Sequence, residues 1–197
     1  MRFGTEQTLR FALRWLPARP ARLLEIGCGG AEVAAELQAL GYEVVAIDSD
    51  SATVAEARSR GVDARVATWP DFSDGRFDAV LFTRSIHHMA LDEAVDRAAA
   101  TAPRLIVEDF ALVEVSPRFV DWLRSVVPDW EPHDVHPFAD VRRSIDRRFT
   151  ILHEEDAPYA YRYFGEEEAP RIYQAELELG ERVLGRRLVA SELRIEN

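Results

Sequence analysis

Between Ala21 and Val107 short apolar runs alternate with longer amphipathic segments. Ala21–Ile26 (ARLLEI), Tyr42–Ile47 (YEVVAI), Phe77–Phe82 (FDAVLF) and Arg104–Val107 (RLIV) have the apolar character of buried strands, and Asp63–Val66 is a weaker fifth. Ala31–Leu40, Ser51–Arg60 and Leu91–Ala100 carry helical patterns. Gly41 and Gly61 follow the first two, where a left-handed residue ends a helix. A short helix is predicted over Arg2–Trp15, ended by Pro17 and Pro20. Strands alternating with helices predict βαβ units, hence an α/β, Rossmann-like, doubly wound and mostly parallel sheet.

After Val107 the alternation stops. Ser116 and Pro117 form a helix start, and Phe119, Trp122, Leu123 and Val126 follow on that helix. Pro128, Pro132 and Pro137 then break the chain. Phe149–His153 predicts a strand, Ala157–Phe164 its bent continuation, Glu167–Leu184 a long helix and Arg187–Ile195 a final strand. The chain thus reads as a single domain, 1–197, with an insertion at about 114–147 placed to cover a site. Phe119, Trp122, Trp130 and Phe138 are its aromatic stock, which suits a small, partly apolar ligand.

Composition narrows the chemistry. Of the 197 residues 24 are cationic and all of these are arginine, against 35 Asp and Glu, for a net charge of −11. Without lysine there is no P-loop, Schiff-base or kinase-type lysine. One cysteine excludes an internal disulfide and a multi-cysteine zinc site, and fits a reducing compartment. The acidic excess argues against nucleic acid and anionic membrane as main partners. No apolar run approaches the roughly 20 residues of a bilayer span. The segment Met1–Trp15 is interrupted by Arg2, Glu6, Arg10 and Arg14 and does not read as a signal peptide, so a cytoplasmic protein is expected, monomer or homodimer.

The informative stretch is Leu23–Glu32, LLEIGCGGAE: a strand, a glycine-rich turn, then a helix start. Glycines let the backbone approach a ligand, and the helix end offers unpaired N–H groups. A dinucleotide fingerprint needs G-x-G-x-x-G. Counting from Gly27, its last position is Glu32, whose carboxylate would oppose a pyrophosphate. The pattern that fits is acidic-x-G-x-G, from Glu25, Gly27 and Gly29, and its ligand should carry a cation or amine. S-adenosylmethionine, with a sulfonium and an α-ammonium, is such a ligand.

With Asp48 ending strand two, the GRFDAV turn and strand, and SIHH after strand four, the chain resembles the class I S-adenosylmethionine-dependent methyltransferases of the small-molecule type. The resemblance covers roughly residues 20–110, and it departs at the third glycine of the motif, which is Ala31. It implies a seven-stranded sheet with a C-terminal antiparallel β-hairpin element. It also implies S-adenosyl-L-methionine as cofactor, S-adenosyl-L-homocysteine as product and a small-molecule methyl acceptor. The implied cofactor residues are Glu25, Gly27, Cys28, Gly29, Asp48, Ser49, Thr68, Trp69 and Arg84, with Asp48 on the ribose hydroxyls and Thr68 and Trp69 at the adenine. His87 and His88 are the candidate general bases, at the carboxyl edge of the sheet where open α/β sheets bind ligands.

Plainer roles compete. Cys28 reads as a small residue under the turn rather than a nucleophile. Glu108 and Asp109 are a helix cap or arginine partners, or alternatively substrate-facing carboxylates. Arg84 and Ser85 line the cofactor or substrate pocket. Arg142, Arg143, Arg147 and Arg148 form a solvated helix face, and Tyr159, Tyr161 and Tyr163 share one strand face. His133 and His136 have ligand-like spacing but no evident partner, so no metal is assigned. Two further functions stand beside methyl transfer: a non-catalytic module that binds S-adenosylmethionine or S-adenosylhomocysteine, and an NAD-dependent oxidoreductase, which Glu32 disfavours.

Overall fold

The structure, a computed structural model, describes residues 1–111, 115–131, 136–180 and 183–192. The apolar runs form β1 (Arg22–Ile26), β2 (Glu43–Asp48), β3 (Asp63–Val66), β4 (Ala79–Thr83) and β5 (Arg104–Phe110), and two further strands, β6 (Phe149–Ala157) and β7 (Gly185–Glu192), complete one sheet. Its order is β3-β2-β1-β4-β5-β7-β6. The first five strands run parallel, and β7 is antiparallel to both β5 and β6. This is the expected doubly wound sheet with its antiparallel C-terminal pair.

Strand side chains alternate between two layers. Leu23, Ala46 and Leu81 face one layer, with Leu9 and Phe11 of α1 (Phe3–Ala12), Ala34 and Leu37 of α2 (Glu32–Ala39) and Val54 of α3 (Ser51–Ser59). Leu24, Ile47 and Phe82 face the other, with Val95 and Ala98 of α4 (Leu91–Thr101) and Phe138, Val141 and Ile145 of α6 (Phe138–Asp146). A third cluster gathers Phe119 and Leu123 of α5 (Pro117–Val126), Trp130, Tyr161 and Ile172 of α7 (Ala169–Glu178), and Phe110 at the end of β5 packs against it.

Four C-terminal expectations are corrected. Ala157–Phe164 is not a bent strand: β6 ends at Ala157 and a 3₁₀ turn covers Ala160–Tyr163. Tyr159, Tyr161 and Tyr163 therefore share no strand face; Tyr161 is buried between Phe3 and Tyr173, at ring separations of 5.2 and 5.5 Å. The long helix shrinks to α7, because Gly180 adopts a left-handed φ of 65° soon after it. The last part of the expected insertion, α6, packs on the sheet as a crossover helix, so Phe138 is a core residue and not part of a cover.

Candidate functional site

The glycine-rich turn joins β1 to α2. Gly27 and Cys28 both donate their N–H to the Ile47 carbonyl, at 2.9 and 3.0 Å, which ties the turn to β2. Gly27 has φ +67°, and a Cβ there would stand 2.5 Å from the Ser85 Cβ, so both backbone angle and space demand glycine. Ser85 itself donates to the Ile26 carbonyl and pins β4 against the turn. Ala31, at the motif's third glycine position, also lies in the left-handed region at φ 53°. An alanine tolerates this at a cost of about 1–2 kcal/mol.

Glu25 is buried beneath the turn. Its carboxylate accepts from the Thr83 hydroxyl at 2.6 Å and from the Ala34 N–H at 3.1 Å. Burial pushes its pKa up to about 7, against the opposing pull of those hydrogen bonds and of Arg84. Such a carboxyl is poised for a cationic ligand. Burial also pushes the Cys28 thiol up to about 12, helped by the nearby Glu25 and Asp48 carboxylates, so it stays protonated at neutral pH. Asp48, half-buried at the tip of β2, accepts from the Gly29 N–H and the Asp50 N–H, both at 3.0 Å.

Two adjoining cavities open along the carboxyl ends of β1, β2 and β4. One, of about 330 Å³, is lined by Gly27, Asp48, Ser49, Thr68, Trp69, Arg84, Ser85 and His88. Trp69 is fixed there by its indole N–H, which donates to the Ala94 carbonyl at 3.1 Å, and the Thr68 hydroxyl donates to Asp71 at 3.0 Å. The other, of about 760 Å³, is lined by Glu25, Gly27, Cys28, Gly29, Glu32 and Arg84, with Arg2, Thr5, Tyr161 and Arg162. They meet at Gly27 and Arg84. Every residue the sequence suggested for cofactor binding lines one cavity or the other.

Arg84 has φ +70°, an uncommon conformation for a side-chain-bearing residue and one that concentrates at functional positions. Its guanidinium stands 3.4 Å from Glu108. Glu108 is the buried hub of this wall: it also pairs with Arg162 at 2.6 Å and Arg187 at 2.7 Å and accepts from Thr8 at 2.8 Å. Burial alone would raise its pKa, but Arg162, Arg187 and Arg84 together hold it at about 2. Of the roles open to Glu108, the structure displays the arginine partner.

The two histidines part company. His87 is buried in a 3₁₀ turn (Ile86–His88), its Nδ1 2.5 Å from Asp109 Oδ1 and its backbone N–H donating to Oδ2 at 3.2 Å. β5 runs on through Phe110, which places Asp109 under that turn. His88 is exposed and lines the smaller cavity, with its ring 4.0 Å from that of His87. His133 lies outside the described residues, and His136 Nε2 is 3.1 Å from the Met89 carbonyl oxygen. Arg142 on α6 and Arg148 just beyond its end pair with Glu154 and Asp96 at the surface.

Sequence reasoning did not find Arg2, Thr5, Tyr161 and Arg162. The first two stand on or beside α1, which sits over the turn through Arg2–Glu32 at 2.9 Å and Thr5–Glu32 at 3.0 Å. The last two come from the turn after β6. Nothing local marks them; the sole hint is an arginine within the aromatic run YAYRYF.

Residues 24–113 match the sequence model of a family described as a methyltransferase domain. The fold is shared with solved methyltransferase structures. Geranyl diphosphate C-methyltransferase from Streptomyces coelicolor A3(2), solved with Mg²⁺, geranyl diphosphate and S-adenosyl-L-homocysteine, superposes with a TM-score of 0.71 at 13% identity, over 96% of this chain and 79% of that one. Magnesium protoporphyrin IX methyltransferase from Synechocystis PCC 6803, with bound S-adenosylhomocysteine, gives 0.65 at 18% identity, over 96% and 83%. Among curated proteins the chain is similar to the ubiquinone biosynthesis O-methyltransferase of Xanthomonas oryzae pv. oryzae, 36% identical over 89 residues. That match spans 41% of this chain and 37% of the relative, so the chain matches little more than a third of that protein's length.

Proposed function

We propose that the protein transfers the methyl group of S-adenosylmethionine to a small-molecule acceptor. The observation that carries this is the pair of joined cavities, with buried Glu25 in one and the Asp48 carboxylate and Trp69 in the other. That polarity suits an amino acid attached to a nucleoside: Glu25 faces the ammonium, Asp48 the ribose hydroxyls and Trp69 the adenine. An NAD reading gains nothing here, because a pyrophosphate over the turn would meet Glu25 and Glu32.

Bound S-adenosylmethionine supplies an electrophilic methyl group on a sulfonium. The protein's own task is to position a nucleophile in line and exclude water. His88, on the cavity wall, accepts the proton of a hydroxyl or amine acceptor. His87, against it and fixed by Asp109, positions its ring and brings a negative charge near the imidazolium that forms. The methyltransferase-domain match over residues 24–113 spans the glycine turn and β1 to β5, which supports a methyl donor bound there. It does not choose the acceptor.

The test is formation of S-adenosylhomocysteine from S-adenosylmethionine across a panel of small phenols, amines and thiols. We expect acceptor-dependent turnover with a methylated product. Cofactor binding without turnover on any acceptor would favour the non-catalytic binding module.

A further inference from the structure

The larger cavity carries a feature that the methyl-transfer reading does not use. Arg162, from the turn after β6, reaches into it and is held through one nitrogen: Nη2 donates to Glu108 at 2.6 Å, to the Thr8 hydroxyl at 2.9 Å and to the Gly4 carbonyl at 3.3 Å. Its Nε and the hydroxyl of the neighbouring Tyr161 are buried polar atoms without a hydrogen-bond partner among the described residues. Both residues line the cavity. Buried donors left unmatched at a cavity wall need an explanation, and a ligand acceptor atom supplies one.

The charges on this wall point the same way. Glu108 faces three guanidiniums, those of Arg84, Arg162 and Arg187, and Glu155 stands near Arg187 at 3.6 Å. Positive charge therefore remains in excess on the side of Arg84 and Arg162, which are the two that line the cavity. The carboxylates Glu25 and Glu32 flank the glycine turn in the same cavity, Glu32 paired with Arg2 at 2.9 Å. The lining carries both signs, with Arg2, Glu56 and Glu166 also on it. Space is made for the guanidinium by Gly4 on α1, where a Cβ would lie 2.7 Å from Arg162 Nη1.

We propose that Arg162, with the Tyr161 hydroxyl beside it, is the seat of the cofactor's α-carboxylate. The assignment rests on the S-adenosylmethionine reading and extends it to the C-terminal part of the chain, beyond residues 24–113. The amino-acid end of the ligand then lies across the cavity, ammonium toward Glu25 and carboxylate toward Arg162. Glu108 and Thr8 act as positioning residues that aim the guanidinium.

The test is calorimetric titration of the full chain with two ligands: S-adenosylhomocysteine and its decarboxylated analogue, which keeps the amine and lacks the carboxylate. The wild type is expected to bind S-adenosylhomocysteine more tightly, by about tenfold to a hundredfold, as befits a charge-assisted pair. Arg162→Met is expected to bind both equally, near the wild-type affinity for the analogue. Tyr161→Phe and Arg162→Lys, which preserve packing and charge respectively, are expected to lose part of the preference and guard against a variant that does not fold. A wild type that binds both ligands equally, or an Arg162→Met that keeps the preference, overturns the carboxylate seat alone. A wild type that binds neither overturns the cofactor reading and this assignment with it.

Discussion

Glu25 shows how one buried side chain couples ligand binding to pH. With a pKa near 7 in the folded chain against an ordinary value of 4.5, it is protonated in the folded state over a range where the unfolded chain is ionised. The unfolded state then binds fewer protons, so this group's contribution makes stability fall as pH rises from about 4.5 to about 7, by at most about 3 kcal/mol. Glu176, buried on α7 where it accepts from three backbone N–H groups, is also raised to about 7 by its burial and acts with the same sign. Glu108 acts oppositely: its contribution is present above about 4.5 and is lost as pH falls toward 2. A cationic ligand reverses the effect at Glu25, because its ammonium needs the carboxylate. S-adenosylhomocysteine affinity is therefore expected to weaken as pH drops below 7. Glu25→Gln should flatten that dependence and remove this residue's share of the stability slope between pH 5 and pH 8, read by urea unfolding. A wild type and Glu25→Gln with parallel pH profiles would contradict the role.

Among elements, the parallel half of the sheet was the most legible in sequence. β1, β2, β4 and β5 are apolar runs largely buried on both faces, and β3, more exposed, follows the predicted Asp63–Val66. The glycine turn was equally plain, since Gly27 and Gly29 both take a positive φ and Gly27 has no room for a side chain. The turn after β6 was hidden, because Tyr159, Tyr161 and Tyr163 imitate strand alternation, while a 3₁₀ turn buries Tyr161 in the third cluster. Glu108 and Asp109, expected at the end of strand five, lie within β5, and which groups they pair with was hidden until β7 and the turn at Ile86–His88 supplied them. Those partners come from distant sequence, so no local pattern could announce them. The histidine pair gives a direct check at this scale. His88→Ala should lower kcat on a hydroxyl acceptor by roughly 10²- to 10⁴-fold, the range of general-base loss. Asp109→Asn should lower it by less, through a loosened His87. Steady-state kinetics that leave kcat unchanged in both variants would remove the base from the account.

At the scale of the molecule, the sheet places all three parts of the site at one edge. The glycine turn, the tip of β2 and the end of β4 form the half that matches known methyltransferase sequence. α1 and the turn after β6 close over it through the Glu108 hub, which touches α1, β4, β7 and that turn. The whole account turns on this edge holding an amino-acid-bearing nucleoside. Isothermal titration of the purified chain with S-adenosylhomocysteine tests that most directly. One-to-one binding is expected, weakened by about 1–3 kcal/mol in Asp48→Ala, where the ribose hydroxyls lose their acceptor. Absence of heat at millimolar ligand, or wild-type affinity in Asp48→Ala, would contradict it.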